Sequence, residues 1–231
     1  MMLTHLDKIN RMALDFLFPP KCISCGREGK YICDNCMDAV KGIKPPVCPV
    51  CMLPVAGKQK CDCRFWHSLD RLSAPFAFQG TIRKAVIQFK FHNLRAIAPF
   101  LAQLLYRHLE NKPITFEILA SVPLHKKRIR ERGYNQSWLL ARELGKLTGT
   151  HPDAVLVRSR HTSSQVDSGK ARQRRINVSG AFDCRSHMVK DKKVLLIDDV
   201  ATTGATLDAC ACALKKAGAS QVQALTLARE I

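Results

Sequence analysis

The sequence predicts an α/β fold, a mostly parallel sheet flanked by helices, preceded by a small cysteine-rich zinc-binding module. Eight of the 11 cysteines fall within residues 22–63, and strand and helix patterns alternate from residue 72 onwards. The run KKVLLIDD, residues 192–199, is continuously apolar before its acids, as strands inside a parallel sheet are. With 231 residues and 46% hydrophobic content, the chain can bury such a core beside an accessory module.

The first 20 residues predict an amphipathic helix rather than a signal peptide. Charged residues interrupt the stretch MMLTHLDKINRMALDFLFPP, whereas its apolar residues recur at helical spacing. No segment reaches the roughly 18 apolar residues of a membrane span. We therefore expect a helix over 1–20 that docks on the protein, no transmembrane segment and a cytoplasmic location.

The clustered cysteines form four close pairs with the spacing of zinc knuckles. Two thiolates separated by two residues reach the same tetrahedral ion, and CISCG and CPVCMLP contain the Gly or Pro that such turns need. A module over residues 21–66 is therefore expected to hold two structural zinc ions. The predicted ligands are Cys22, Cys25, Cys33, Cys36, Cys48, Cys51, Cys61 and Cys63. The alternatives are one zinc ion with spare pairs, or a disulfide framework, which a cytoplasmic setting disfavours.

The pairing of the knuckles is less well defined by sequence. Seven residues separate the first two pairs, which is short for a ribbon, so a nested arrangement is slightly favoured over consecutive or cross-braced ones. With every pair used, no coordination position remains for a catalytic water, and the module is expected to be structural or a binding platform. Cys210 and Cys212 lie on a predicted helix, where at least one is expected to be a core residue.

Residues 67–231 are predicted as alternating strands and helices that form the second domain. Strands are expected at 72–78, 116–124, 154–157, 192–199 and 221–229, and helices at 80–91, 96–110, 134–149 and 206–219. The basic segments 121–137 and 158–180 are predicted as loops, the second mobile and followed by a short helix. Ligands of parallel sheets lie beyond the carboxyl ends of the strands, where the first of these loops also begins.

The stretch VLLIDDVATTGATL places Asp198 and Asp199 at the end of a buried strand. The small and hydroxylated residues that follow let backbone N–H groups and a helix N-terminus point into one concavity, which suits a phosphate. The two acids can accept hydrogen bonds from vicinal hydroxyls or hold a divalent cation. A ligand with both a diol and a phosphate is a ribose 5-phosphate. The competing interpretation is an ordinary buried strand with a capped helix behind it.

The formal charge of +18 favours anionic partners, such as nucleic acid or phosphorylated metabolites. Residues 121–190 carry 15 basic side chains against five acidic ones, whereas residues 191–231 are neutral. The basic excess therefore lies outside the segment with the paired acids. A basic surface that only aids solubility is the alternative.

The stretch VLLIDDVATTGATL resembles the phosphoribosyl pyrophosphate signature of type I phosphoribosyltransferases. The whole chain resembles the ComF family, linked to DNA uptake in naturally competent bacteria, through LFPPKCISCG, QGTIRKAVIQFKF, SVPLHKKRIRERGYNQS and SQVDSGKARQRRINVSGAF. The resemblance implies a type I phosphoribosyltransferase-like sheet behind a double zinc ribbon. It also implies a role in competence, association with incoming single-stranded DNA, and partners among DNA-uptake or processing proteins. The alternative is an active phosphoribosyltransferase of nucleotide metabolism with an unidentified acceptor and no direct DNA contact.

The resemblance also implies a binding site for phosphoribosyl pyrophosphate, carried over by position. Asp198 and Asp199 would bind the ribose hydroxyls, and Mg²⁺ would bridge pyrophosphate and ribose oxygens. The 5-phosphate would lie on the loop formed by Thr202, Thr203, Gly204, Ala205 and Thr206. Arg132, with Lys126 or Arg128, would face the pyrophosphate. No pocket for an accepting base is recognisable, so the sequence does not decide whether the protein is an enzyme. Phe91, Tyr134 and Trp138 are candidate platforms for stacked DNA bases, but for each of them packing in the core or against a helix is the favoured interpretation.

Overall fold

The computed structural model describes residues 19–48, 50–55, 63, 66–160, 178 and 180–231. The expected N-terminal helix and most of the expected mobile loop lie outside these ranges. In chain order, the helices and strands are α1 (Asp34–Asp38), β1 (Arg71–Ser73), β2 (Phe76–Ala77), α2 (Gly80–Phe91), α3 (Ala98–Asn111), β3 (Ile118–Ser121), α4 (Lys126–Arg132), α5 (Gln136–Thr148), β4 (Pro152–Asp153), β5 (Leu156–Arg158), β6 (Phe182–Cys184), β7 (Lys193–Ala201), α6 (Ala205–Lys216) and β8 (Gln221–Arg229).

The main sheet is parallel and has the strand order β1-β8-β7-β3-β4, with β2 also paired to β8. The register sets Ser121 of β3 beside Ile197 of β7, and Asp198 beside Thr226 of β8. The carboxyl ends of β3 and β7 therefore meet at the same edge. The predicted α/β class is confirmed.

Strand β7 lies between two apolar layers, which explains its continuous hydrophobic sequence. Val194 and Leu196 belong to a core cluster that includes residues of α6, whereas Leu195 and Ile197 belong to a cluster with residues of α2, α3 and α5. All four side chains are at most 2% exposed. Full burial of such a side chain contributes about 1.5–3 kcal/mol. This packing fixes the strand that carries the paired acids.

Most predicted strands and helices match the observed elements. The segments that differ are 72–78, 154–157 and 121–137. The predicted strand over 72–78 is divided into β1 and β2, because Pro75 has no backbone N–H to give to a sheet. The strand predicted at 154–157 appears as β5, which pairs antiparallel with β6 outside the main sheet.

The segment 121–137, predicted as a loop, contains helix α4. His125 accepts a hydrogen bond from the N–H of Lys127 at its start, and Gly133 ends the helix in the left-handed conformation. The Lys, Arg and Glu residues between these caps are good helix formers. The helix gives its basic side chains a fixed spacing that a loop would not.

Across the described ranges, no helix combines the length and the apolar character needed to cross a membrane.

Candidate functional site

The described cysteines of the N-terminal module gather in two groups, which we call the first and second cysteine groups. The first contains Cys22, Cys25, Cys33 and Cys36, and the second contains Cys48, Cys51 and Cys63. Within each group the sulfur atoms lie within 4.8 Å of one another. Four sulfurs around one zinc ion at about 2.3 Å need this close approach, so both groups fit structural zinc. Cys61 lies outside the described residues.

The cysteines therefore pair consecutively along the chain, and the nested arrangement favoured by the sequence is wrong. The seven residues between Cys25 and Cys33 do not have to extend along a β-ribbon. The N–H of Gly26 donates to the carbonyl of Cys22 (2.7 Å), and the N–H of Cys22 donates to that of Arg27 (2.7 Å), so the chain reverses at once. Cys33 then caps α1, and Cys36 follows one turn later.

Two thiols of the first group have opposite pKa shifts. Side-chain hydrogen bonds with Cys25 and Cys33 raise the pKa of Cys36 to about 12. Burial opposes ionisation of Cys22, but backbone N–H groups of Cys33 and Cys25 outweigh it and lower the pKa of Cys22 to about 6. A thiolate is the form that binds zinc. Outside the module, burial raises the pKa of the Cys210 thiol, which lies fully buried in α6 as the sequence analysis expected.

The two acids of the predicted sugar site lie at the carboxyl end of β7 and have different partners. Asp199 is buried and forms an ion pair with Lys90 of α2, whose Nζ lies 2.7 Å from Oδ1. Asp198 is half-buried, and its Oδ1 accepts hydrogen bonds from Ser137 Oγ (2.6 Å) and from the N–H of Asp199 (2.9 Å). Neighbouring elements thus hold both carboxylates in fixed positions.

Burial and the adjacent Asp199 raise the pKa of Asp198 to about 7. Lys90 and the hydroxyl of Ser137 act in the opposite direction, without cancelling the first two effects. Repulsion between the two acids therefore disfavours full ionisation of Asp198, whereas Lys90 compensates the charge of Asp199. Hydroxyl donors or a divalent cation would relieve this repulsion.

The predicted phosphate loop, residues 202–206, joins β7 to the N-terminus of α6. Gly204 caps the helix with φ of +77°. The hydroxyl of Thr203 accepts a hydrogen bond from the N–H of Ala205 (3.3 Å). The first N–H groups of a 12-residue helix have no intrahelical acceptor and favour an anion. The loop is therefore suited to a phosphate, and phosphate binding there stays a prediction.

The predicted basic residues differ in how close they lie to the acids. Arg132 is half-buried above the ring of Phe91, with its Cζ 4.9 Å from the ring centroid. Burial and Arg128 lower the pKa of Arg132, whereas Asp199 raises it, so both charges are within electrostatic reach. Lys126 is exposed, and no ion pair within the described ranges joins it to either acid.

Three side chains near the acids were not identified from the sequence: Lys90, Ser137 and Arg158. Arg158 of β5 is within electrostatic reach of Asp198, which raises its pKa, although burial and Arg128 lower that pKa more strongly. Ser137 directly follows the RGYNQ element, which was the available signal. Lys90 and Arg158 carry no comparable local signal, because their approach depends on packing between distant segments.

Of the three aromatic residues considered as stacking platforms, Phe91 is the exposed one. Its side chain is 64% exposed beside the site. Tyr134 is buried, and its hydroxyl donates to the carbonyl of Phe89. Trp138 is half-buried in α5. Tyr134 therefore belongs to the core, and Phe91 remains the best candidate for contact with a planar ligand.

The fold and the cysteine groups define a phosphoribosyltransferase-like protein with a zinc-ribbon module. Residues 13–64 match the double zinc ribbon domain, and residues 132–231 match the phosphoribosyl transferase domain. Competence protein ComFC of Bacillus subtilis is 30% identical over 213 residues, which cover 88% of this chain and 86% of that protein. The chain therefore belongs to the ComFC family.

The chain is also similar to a second curated protein and, more weakly, to a solved structure. The DNA utilization protein YhgH of Salmonella typhi is 33% identical over 214 residues, covering 87% of this chain and 91% of that protein. Among solved structures, the glutamine phosphoribosylpyrophosphate amidotransferase of B. subtilis has a TM-score of 0.40 and 18% identity. That similarity covers 57% of this chain and 26% of the amidotransferase chain.

Proposed function

We propose that the protein binds phosphoribosyl pyrophosphate with Mg²⁺ at the carboxyl edge of its sheet and handles incoming single-stranded DNA during uptake. The observation that carries the proposal is the continuous unit of two fixed acids and a helix-capping loop, residues 198–206. Relatives named for competence and DNA utilization support the cellular role.

The charges around the site suit the opposite ends of this ligand. Ribose hydroxyls would donate to Asp198 and Asp199, the 5-phosphate would accept from the loop N–H groups, and Arg132 would face the pyrophosphate. When bound, Mg²⁺ would neutralise pyrophosphate charge. The ion pair between Lys90 and Asp199 keeps the second acid compensated in the free protein.

The first test is calorimetric titration with phosphoribosyl pyrophosphate, with and without Mg²⁺. Wild-type protein is expected to bind only weakly without Mg²⁺. The double variant Asp198→Asn/Asp199→Asn is expected to lose at least about a hundredfold in affinity, because charge-assisted hydrogen bonds contribute about 1.5–3 kcal/mol each. Asp183→Asn, which alters an exposed acid of β6, serves as the control and is expected to bind normally. Absence of Mg²⁺-dependent binding by the wild type would reject the proposal.

Helix α4 and Phe91 offer the described surface for DNA. Lys127 and Arg130 are exposed on α4, the helix that also carries Arg132, whose guanidinium lies over the ring of Phe91. Basic side chains that follow a backbone, combined with an exposed ring for base stacking, are typical of single-strand binding. Lys127 and Arg130 are distinct from Arg132, so contact with DNA does not require the residue assigned to pyrophosphate.

The second test separates the two kinds of DNA contact by their salt dependence. Lys127→Ala/Arg130→Ala is expected to reduce the slope of log K against log[salt] by about 1.4, since each single-strand phosphate contact contributes about 0.7. Phe91→Ala is expected to weaken binding at every salt concentration while leaving the slope unchanged. Lys190→Ala/Lys193→Ala removes two exposed charges at the other end of β7 and is the matched control. Equal effects of both double variants would contradict this assignment.

A further inference from the structure

We propose that the second cysteine group positions the phosphate-binding loop, so that metal bound by Cys48, Cys51 and Cys63 increases the affinity of the loop for phosphate. The inference rests on the proposed function, because it concerns the same loop. It assigns Trp66, Asp208 and Arg229 as positioning residues. Three connections join the cysteine group to the loop and to the first turn of α6 behind it. The first and third both run through the residues that begin with Trp66, whereas the second passes through β8.

The first connection passes through Trp66. The backbone N–H of Trp66 donates to the carbonyl of Cys63 (2.9 Å), so one turn joins the thiol to the indole. The indole Nε1–H donates to the carbonyl of Thr203 (3.1 Å). The ring also covers Gly204 so closely that an added Cβ would lie 2.2 Å from Trp66 Cζ2. The indole therefore holds the loop at its sharpest turn.

The second connection passes through Arg229, the last residue of β8. Its side chain is fully buried, and Nε donates to the carbonyl of Cys51 (3.2 Å). Nη1 of the same guanidinium donates to the carbonyl of Ala201 (3.1 Å), directly before the loop. A planar guanidinium thereby sets the distance between a cysteine ligand and the start of the loop.

The third connection is the carboxylate of Asp208 in the first turn of α6. It accepts hydrogen bonds from the backbone N–H groups of His67, Ser68 and Leu69, at 2.9–3.3 Å. These residues directly follow Trp66. An acid in this turn would repel a bound phosphate if it faced the ligand. Here its oxygens instead accept from residues 67–69, which we call the linker because they join the cysteine module to the sheet. The linker is thus docked on the helix whose N-terminus forms the phosphate site.

Metal removal is expected to loosen this arrangement. A small metal module derives its folding energy from the metal, and the second group would lose its fixed geometry without it. Trp66 and the Cys51 carbonyl would then no longer hold Gly204 and Arg229. A loop that has to be ordered during binding gives weaker affinity than one already ordered. The metal therefore acts on ligand affinity through preorganisation and without touching the ligand.

The first cysteine group provides a matched control, because its side-chain hydrogen bonds reach a different element. Ser24, between Cys22 and Cys25, receives hydrogen bonds from Thr81 and Lys84 of α2. Ile32 packs into the cluster that contains Ile82 of the same helix. The two groups thus dock on different parts of the domain, and their effects can be compared within one protein.

The decisive experiment compares Cys63→Ser with Cys25→Ser in the full chain. Zinc content is measured colorimetrically, and affinity for Mg²⁺-phosphoribosyl pyrophosphate by calorimetry. Cys63→Ser is expected to weaken binding at least about tenfold, whereas Cys25→Ser is expected to change it less than about threefold. Equal losses in the two variants, or unchanged affinity in zinc-depleted Cys63→Ser, would overturn the proposal.

Hydrogen–deuterium exchange of the peptide spanning residues 201–206 supplies a readout that needs no ligand. Faster exchange is expected in Cys63→Ser and Trp66→Ala but not in Cys25→Ser. Trp66→Phe keeps an aromatic ring but loses both the hydrogen bond to Thr203 and the Cζ2 and Cε2 atoms nearest Gly204, so it is expected to restore only part of the protection lost in Trp66→Ala. If Cys63→Ser fails to fold, loop exchange in Trp66→Ala, Trp66→Phe and Asp208→Asn tests the positioning role instead. Wild-type protein that fails to bind the ligand would reject the proposed function, whereas unaltered loop exchange in these variants would reject the positioning role.

Discussion

Gly204→Ala is expected to weaken phosphoribosyl pyrophosphate binding by at least about a hundredfold, because the new Cβ displaces the loop. The residue has φ of +77°, and its Cβ would lie 2.2 Å from Trp66 Cζ2 and 2.6 Å from Cε2. The left-handed conformation costs alanine about 1–2 kcal/mol, and overpacking adds about 1–3 kcal/mol. Calorimetry measures the affinity, and denaturant unfolding measures the loss of stability.

Gly149→Ala separates these two costs. Gly149 ends α5 with φ of +73°, and nothing lies within 4 Å of its added Cβ. Its substitution is therefore expected to cost only the conformational part, about 1–2 kcal/mol, with normal ligand affinity. If the two variants were equally destabilised, the contact between Trp66 and Gly204 would have no energetic role.

Asp198→Asn is expected to stabilise the free protein at pH 8 while weakening ligand binding. The pKa of Asp198, raised to about 7 by burial and Asp199, exceeds its value of about 3.9 in the unfolded chain. The favourable contribution of the protonated acid is complete below about pH 4 and is lost as pH rises to about 7. Asparagine mimics the neutral acid, so its advantage is expected to grow over this interval to on the order of 2 kcal/mol, a value reduced for partial exposure.

Denaturant unfolding of wild type and Asp198→Asn at pH 4 and pH 8 measures this difference. Asp183→Asn is the control, since Asp183 is exposed on β6. The stability difference between Asp198→Asn and wild type should increase with pH, while that of the control stays constant. A difference that decreased with pH would show that Asp198 is stabilised as the carboxylate, contrary to its surroundings.

The parts of the site that sequence predicts are those whose chemistry is local. Residues 198–206 contain the end of a strand, a turn and a helix start, so their residue types alone indicate acids beside an anion site. The same holds for each cysteine knuckle, where two ligands lie within four positions. In both cases the interacting groups are joined by a short, restricted backbone.

The parts that sequence does not predict depend on contacts between distant elements. Lys90 reaches Asp199 because α2 packs on the face of the sheet formed by Leu195 and Ile197 of β7, and no pattern within α2 reports that proximity. The cysteine pairing depends on whether the seven residues between Cys25 and Cys33 extend along a ribbon or reverse the chain so that both pairs reach one ion. The hydrogen-bonded reversal at Cys22–Arg27 decides this, and spacing alone could not. The sequence does not predict helix α4, because its charged residues are equally typical of a solvated loop. The capping roles of His125 and Gly133 are evident only in the structure.

The consecutive pairing also has a consequence for biosynthesis. The first group closes within residues 22–36, and the described ligands of the second lie within residues 48–63. Every described ligand of both groups precedes the sheet in the chain, so metal loading can finish while β7 and α6 are still being translated. Domains of a growing chain fold in order from the N-terminus. The maturing sheet would then assemble against a module that is already rigid, with Trp66 in place before Gly204 emerges from the ribosome.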